Sequence, residues 1–254
     1  ALAVKSRDEV VSVYCQSSYQ RQIFTEQILL QTDSKQAKKL FNYLKKYNGR
    51  CALFALNGFL SEDSEAANHL RNLVIELMNS GVAVTEDYTN ESVRYLGRLA
   101  SKVGLEAHRY TGLIRFQLLK KELLYGPFEP DNNIIGYLAQ HFKKRPGRRR
   151  WILHDIRRQL AMYWDGSRFL DIEIDPFFTS HVAEEGNIPD EMLSSDERYY
   201  QKLWNSFHHS ISNASRENTI LQKQRMPRRY WKYLVEMQGQ SMIRKQDGRY
   251  TQLC

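Results

Sequence analysis

Apolar residues recur at helical spacing through the first hundred residues. Residues 34–47 (SKQAKKLFNYLKKY) place their apolar side chains on one face and their lysines on the other. The same period returns over residues 63–79, which Gly81 closes, and over residues 90–107. The pattern predicts three helices in the N-terminal part of the chain.

The period changes from that of a helix to that of a strand after residue 110. Apolar and polar residues alternate in residues 112–119 (GLIRFQLL), which predicts a half-buried strand, a turn near residues 120 and 121, and a returning strand. A helix is predicted from residue 132 to about residue 144, with Asp131 as its N-terminal cap.

A second pair of strands is predicted around Asp165 and Gly166. This Asp-Gly pair lies between two runs with strand composition, which is a strong hairpin signal. The middle of the chain therefore has the order β-β-α-β-β, consistent with an antiparallel sheet covered by helices. We predict an α+β fold with N-terminal helices, a central antiparallel β-β-α-β-β unit and C-terminal helices.

The last third of the chain is predicted to be mainly helical. Residues 177–195 are polar and acidic, which predicts a loop or linker. A helix over residues 195–212 follows, with an apolar stripe of Tyr199, Leu203, Phe207 and Ile211. A short helix is predicted over residues 228–236. The predicted parts are a helical part (1–110), a sheet with a crossover helix (111–176), an acidic loop with C-terminal helices on the same domain (177–238) and a tail (239–254).

Positive charge is concentrated in two segments of the chain. The chain has 254 residues and a formal net charge of +8. Residues 143–158 and 222–232 together carry 13 basic residues and one acid, Asp155, so the remaining chain nets −4. This asymmetry favours a polyanion as partner. We expect the two segments to fold side by side into one cationic surface.

The cysteines and the missing motifs count against several classes of protein. Cys15, Cys51 and Cys254 lack the spacing of a zinc or iron–sulfur site, so we predict no metal and no cofactor. These three cysteines are far apart and odd in number, which favours a reducing, cytoplasmic location. No apolar run approaches the roughly 18–20 residues of a membrane span. The absence of a Gly-rich phosphate loop, a nucleophile elbow and a zinc-protease helix counts against ATPases, hydrolases and metalloproteases.

The basic segments and their aromatic neighbours predict a nucleic-acid-binding surface. Basic side chains would neutralise phosphates, while Tyr230 or Trp231 stacks on a base. The alternatives are solvated arginines, a core position for Trp231 beside Leu234, and a protein-interaction adaptor whose basic segments meet an acidic partner. The predicted nucleic-acid-binding residues are Arg109, Arg115, Lys143, Lys144, Arg148, Arg149, Arg150, Arg157, Arg158, Arg225, Arg228, Arg229, Tyr230, Trp231 and Lys232.

A second hypothesis is an enzyme of the glycosylase or nuclease type. His108 is predicted at a helix–strand junction, where it could face a cleft or compensate the helix dipole. His154 and Asp155 are neighbours on a strand and point to opposite faces, so a structural polar pair competes with a general base. Glu129 and Asp131 could hold a magnesium ion, although a capping role explains Asp131 more simply. The predicted catalytic residues are His108, His154, Asp155 and Glu129.

Four strings carry a resemblance to a known family. GLEAHRYTGLIRFQLL, YGPFEPDNNIIGYLAQHF, WILHDIRRQLAMYWDG and QKQRMPRRYWKYLVEM occur in this order. Together they resemble an uncharacterised bacterial family described as probable DNA metabolism proteins, over nearly all the chain, from about residue 11 to residue 237. The resemblance implies a DNA-repair setting, since some members are fused to uracil-DNA-glycosylase-like domains and others occur beside a radical-SAM protein similar to DNA-lesion lyases.

The resemblance also implies a division of labour. The residues after Met237 carry no glycosylase-like pattern, and the chain has no three-cysteine radical-SAM motif. We therefore expect such chemistry to come from a partner, either a uracil-DNA-glycosylase-like or a radical-SAM repair protein. The leading prediction is an accessory protein of DNA repair that holds single- or double-stranded DNA on its basic surface for that enzyme.

Overall fold

A computed structural model describes residues 12–14, 28–29, 31–80, 82–145, 147, 149–212 and 218–238. The chain forms two compact units, residues 1–106 and 107–254. Helices lie at both ends of the described chain and a five-stranded sheet lies in the middle, which confirms the predicted α+β class.

The first unit is built from helices around an apolar core. Its elements are α1 (Ser34–Tyr47), α2 (Gly49–Leu60), α3 (Ala66–Ser80) and the first part of α4 (Glu91–Leu113). Helix α1 has the predicted bounds, and Asn48 separates it from α2 by accepting a hydrogen bond from the Cys51 N–H at 2.9 Å. The core contains the buried side chains Leu44, Phe54, Leu73 and Leu96.

The sheet of the second unit contains both antiparallel and parallel pairs. Its strands are β1 (Gln117–Leu119), β2 (Leu123–Phe128), β3 (Trp151–Asp155), β4 (Leu160–Trp164) and β5 (Phe169–Ile172), in the spatial order β1-β2-β3-β4-β5. Strands β2 and β3 are parallel, with Leu124 opposite Trp151, and the other pairs are antiparallel. The prediction of a purely antiparallel sheet is therefore wrong for this one pair.

The parallel pair follows from the helix between its strands. Helix α5 (Ile135–Phe142) carries the chain back from the end of β2 to the start of β3, and such a crossover returns the next strand in the same direction. The predicted cap of this helix is also wrong. Ile134 occupies the N-cap position without a side-chain hydrogen bond, and Asp131 forms ion pairs instead.

A turn inside the run WILHDIRRQLAMYW adds a fifth strand to the four predicted ones. The chain reverses over residues 156–159, where Gln159 has a positive φ of 54° and Asp155 Oδ1 accepts from the Arg158 N–H at 3.2 Å. The predicted Asp165-Gly166 hairpin is confirmed between β4 and β5. Asp165 Oδ1 accepts from the Arg168 N–H at 2.9 Å, and Gly166 has a φ of 102°.

The predicted loop at residues 177–195 is largely helical. Helix α6 (Pro176–Glu185) begins at Asp175, whose side chain accepts from the Phe178 N–H at 3.0 Å, and ends at Gly186 with a φ of 71°. An Asp cap, a proline in the first turn and a C-terminal glycine are the usual end signals of a helix. The prediction of a loop rests on acidic composition and does not take these signals into account.

The C-terminal part contains α7 (Glu197–Ile211), α8 (Thr219–Arg225) and a 3-10 helix (Arg228–Tyr233). Helix α7 lies within the predicted range, but its predicted apolar stripe is exposed and the buried residues are Glu197 and Gln201. Among the described residues, no helix combines the length and the apolar character needed to cross a bilayer.

Candidate functional site

The second unit contains an open cavity between the edge strand β1 and helix α7. Its volume is about 1130 Å³. We call it the arginine–aromatic cleft. It is lined by Ile114, Arg115, Phe116, Gln117, Leu118, Glu122, Leu124, Arg149, Arg150, Glu197, Tyr200, Gln201, Trp204 and Val235.

The floor of the cleft is a buried polar network. Glu197 and Gln201 are four residues apart on α7, so their side chains share one face of the helix. Gln201 Nε2 donates to Glu197 Oε1 at 2.9 Å and to Gln117 Oε1 at 3.1 Å. Glu197 Oε2 accepts from the Leu118 N–H at 2.8 Å, which satisfies a donor of the edge strand. All three side chains belong to residues that are at least nine-tenths buried.

One wall of the cleft is an aromatic side chain held by two charged neighbours. Trp204 Nε1 donates to Glu236 Oε2 at 2.9 Å, and the Arg115 guanidinium lies 5.2 Å from the Trp204 ring centroid. Arg115 Nη2 in turn donates to Glu236 Oε1 at 2.6 Å. Trp204 is nevertheless 38% exposed. The indole is therefore both oriented and accessible.

Burial and hydrogen bonding act in opposite directions on the pKa of Glu236. Burial raises it, while the hydrogen bonds and the charge of Arg115, together with the bond from Trp204, lower it, and the net direction is downward. Glu236 is thus a carboxylate at neutral pH, as its role as a double acceptor requires.

The rim of the cleft carries two exposed arginines. Arg149 and Arg150 lie between α5 and β3, and Arg150 Nη2 donates to the Lys121 carbonyl at 2.8 Å. Lys143 and Lys144, at the other end of the same connection, are also exposed. The Lys143 ammonium lies 5.3 Å from the Trp164 ring centroid. Arg148 lies outside the described residues.

The opposite end of β3 carries a second group of charges, which we call the strand-end cluster. Arg229 Nη2 lies 2.8 Å and Arg157 Nη1 4.0 Å from the carboxylate of Asp131. Arg158 Nη1 lies 3.0 Å from Asp155 Oδ2. Lys232 Nζ and the Tyr233 hydroxyl both donate to Glu129 Oε1, at 3.2 and 2.7 Å. The cluster comprises Glu129, Asp131, Asp155, Arg157, Arg158, Arg229, Lys232 and Tyr233.

The first basic segment is thus divided between two sites. Arg149 and Arg150 precede β3 and Arg157 and Arg158 follow it, separated by a strand of about 16 Å. The second half meets the other basic segment through the carboxylate of Asp131, which both Arg157 and Arg229 contact, whereas the first half lies at the cleft. The expectation of one cationic surface is corrected accordingly, because β3 passes through the middle of the segment.

The predicted catalytic residues lie in different environments. His108 is exposed within α4, which continues to Leu113, so the predicted helix–strand junction is wrong. His154 is buried, and its Nδ1 lies 2.6 Å from the Tyr125 hydroxyl. Burial lowers the pKa of His154 to about 4. Asp155 and Glu129 belong to the strand-end cluster.

The remaining predicted contact residues are distributed around the C-terminal segment. Tyr230 is buried, with its ring centroid 4.9 Å from that of Tyr110, so it presents no free face to a base. Trp231 is half-buried and donates from Nε1 to the Met226 carbonyl at 2.9 Å. Exposed Arg228 lies over that indole at 6.0 Å. Arg225 on α8 is exposed, and Arg109 on α4 is half-buried.

Sequence reasoning missed most of the cleft. The sequence predicts the apolar stripe of α7 as its buried face, and this excludes the residues of the opposite face, which are Glu197, Tyr200, Gln201 and Trp204. A signal was present, since Glu197, Gln201 and Trp204 recur at helical spacing and include two polar residues with long, hydrogen-bonding side chains.

The fold and the cleft together define a mixed α+β protein whose second unit displays cationic and aromatic side chains around a polar floor. The chain belongs to the family described as a domain of unknown function, DUF4130, whose model matches residues 64–236. This match confirms the predicted membership of an uncharacterised family. Neither the comparison with curated proteins nor that with solved structures found a match.

Proposed function

We propose that the second unit binds DNA in the arginine–aromatic cleft and acts as an accessory protein of DNA repair. The observation that carries the proposal is the placement of the exposed Arg149 and Arg150 on the rim of a cavity walled by Tyr200 and Trp204. Cations that track a backbone, combined with aromatic rings that accept bases, are the usual means of binding a single strand.

The charge on the rim supports a phosphate-bearing ligand. Arg149 and Arg150 follow exposed Lys143, Lys144 and Arg145 along one connection, and the described part of this connection contains no acid. Each phosphate contact contributes about −0.7 to the slope of log K against log salt concentration for a single strand. Binding through the two arginines alone would therefore weaken roughly sevenfold between about 50 and 200 mM salt.

The binding proposal is tested by fluorescence anisotropy with a labelled single strand and the corresponding duplex, over about 50–300 mM KCl. We expect salt-sensitive binding, with preference for the single strand. Arg149→Gln combined with Arg150→Gln should flatten the salt slope by about 1.4 and weaken binding about tenfold at low salt.

The matched control is Lys38→Gln combined with Lys39→Gln, which removes the same charge from exposed positions of α1. It should change affinity less than twofold. Absence of saturable binding at about 50 mM salt would overturn the proposal, and so would an equal loss in both double variants, which would indicate a response to net charge alone.

The accessory role rests on the resemblance to proteins of DNA metabolism and predicts binding without turnover. A uracil-DNA-glycosylase-like or radical-SAM repair protein is the proposed partner that supplies the chemistry. Incubation with uracil-containing and abasic oligonucleotides, with and without Mg²⁺, should leave the DNA intact. Cleavage or base release that depends on Glu129, Asp155, His108 or His154 would instead establish the enzymatic alternative.

A further inference from the structure

We propose that the arginine–aromatic cleft receives one unstacked nucleobase of a single strand, with its ring against Trp204 and Tyr200 and its polar edge on the floor. This inference rests on the proposed DNA binding and adds to it a site for an individual base. Three features support it: the size of the cleft, the fixed orientation of the aromatic side chain in its wall and the hydrogen-bonding groups of its floor.

The cleft is large enough for a nucleotide. Pockets for small molecules commonly measure about 300–1,000 Å³, and the cleft measures about 1130 Å³. A base, its sugar and the flanking phosphates therefore fit while the strand remains at the open rim. Arg149 and Arg150 are positioned at that rim, where phosphates of an entering nucleotide would pass.

The aromatic side chain of the wall is oriented by contacts within the protein. The contacts of Trp204 with Glu236 and Arg115 hold its indole in place, so a stacking base does not have to order it. Tyr200, one turn earlier on α7, is 55% exposed and lines the same cavity. An exposed aromatic side chain held by its polar neighbours is favourable for stacking and is not explained by packing of the core.

The floor offers a hydrogen-bond acceptor beside a donor. An ionised carboxylate has about four acceptor positions, and Glu197 uses its two oxygens for Leu118 and Gln201 while still lining the cavity. Gln117 accepts from Gln201 through Oε1, which assigns its NH₂ group as a donor. The Watson–Crick edge of every base carries a hydrogen-bond donor next to an acceptor. This floor therefore suits a base without selecting strongly among the four.

The test measures the contribution of the base to the affinity separately from that of the sugar–phosphate backbone. One strand consists of about 12 abasic tetrahydrofuran nucleotides, and a second is identical except for one central adenine. Binding of the abasic strand measures phosphate contacts. The additional affinity of the adenine strand measures the base site, and we expect a gain of about 5- to 150-fold.

Two variants assign that gain to the cleft. Trp204→Leu and Tyr200→Leu should each remove most of the adenine gain while leaving the affinity for the abasic strand within about twofold. The control is Leu203→Ala, which truncates a neighbouring exposed apolar side chain of α7 that does not line the cavity, and it should retain the gain. Arg149→Gln with Arg150→Gln should weaken both strands equally. Thermal unfolding verifies that each variant is folded.

The outcomes distinguish the two proposals. If the abasic strand binds and adenine adds nothing, the base site is refuted and the proposed DNA binding stands. If the gain persists in both Trp204→Leu and Tyr200→Leu, the base binds elsewhere and the inference is again refuted. If neither strand binds, the proposed function itself fails.

Discussion

A single buried carboxylate organises one wall of the cleft. Glu236 accepts hydrogen bonds from both Arg115 and Trp204, and its side chain is 3% exposed against 23% for that of Arg115. Removing the charge from such an acceptor leaves a partly buried guanidinium without its counter-ion, which costs more than an exposed ion pair contributes. The residue therefore matters for stability and for the orientation of Trp204.

We predict that Glu236→Gln lowers the free energy of unfolding at pH 7 by about 1–3 kcal/mol, as measured by urea denaturation. The pKa of Glu236 is lowered in the folded protein, so the unfolded chain takes up the proton first as the pH falls. The stabilisation is complete above the ordinary glutamate pKa of 4.5 and is lost as the pH falls through the lowered value. Equal stabilities of the wild type and the variant at pH 7 would show that the pair contributes nothing.

At the scale of elements, the contact between α7 and β1 explains the unexpected face of the helix. Strand β1 is the edge of the sheet, and an edge leaves backbone donors without a partner strand. Glu197 accepts from the Leu118 N–H in place of a further strand. The polar face of α7 is therefore turned towards this edge, where it accepts a hydrogen bond, and the apolar stripe of the helix is exposed.

The close packing behind the cleft makes Gly126 of β2 a sensitive position. A Cβ atom built there would lie 2.8 Å from Ile114 Cγ2 and 3.0 Å from the Phe116 ring, and both side chains line the cleft. We predict that Gly126→Ala destabilises the second unit by about 1–3 kcal/mol through overpacking and weakens the binding of single strands.

Gly136 in α5 provides the control for this substitution. It is exposed, and a Cβ atom there would meet nothing within 4 Å. Gly136→Ala should leave stability unchanged or raise it by up to about 1 kcal/mol, because alanine is the better helix former. The free energy of unfolding of both variants is measured by urea denaturation. An unchanged stability of Gly126→Ala would show that Ile114 and Phe116 move aside at no cost.

At the scale of the whole molecule, net charge is a poor guide to where a polyanion would bind. The chain carries +8, but Arg158, Arg229 and Lys232 form ion pairs with Asp155, Asp131 and Glu129. Those carboxylates reduce the local field of the strand-end cluster. The cleft and its rim instead place exposed arginines beside aromatic side chains.

If carboxylates reduce the positive field of the strand-end cluster, removing one of them should increase its attraction for DNA. Asp131→Asn removes the counter-charge of Arg157 and Arg229, and we expect it to strengthen the binding of single strands at low salt by about two- to fivefold with a steeper salt slope. Asp171→Asn makes the same change of net charge at an exposed position of β5 and should have a smaller effect. Equal effects in anisotropy titrations would show that net charge alone controls affinity.

The predictions from the sequence succeeded where the signal was local. The bounds of α1, the helix over residues 195–212 and the Asp165-Gly166 hairpin depend on periodicity and turn residues within a few positions. The prediction of a loop over residues 177–195 is wrong because it rests on acidic composition, whereas the Asp175 cap and the closing Gly186 indicate a helix.

The candidate site was predictable in part. Arg115, Arg149 and Arg150 were selected from the sequence and line the cleft. The sequence does not predict its floor and its aromatic wall, because both join residues that are far apart in the chain, as in the contact of Gln201 with Gln117 at a separation of 84 and that of Trp204 with Glu236 at a separation of 32.

The sequence by itself determined the α+β class, most helices and the two concentrations of positive charge, because periodicity and composition are properties of neighbouring residues. Tertiary structure alone decided the parallel pairing of β2 with β3, the partition of one basic segment between two ends of a strand and the polar face that α7 turns inward. Each of these depends on which backbone groups and carboxylates lie opposite one another after folding, and the spacing of residues within one segment does not identify those partners.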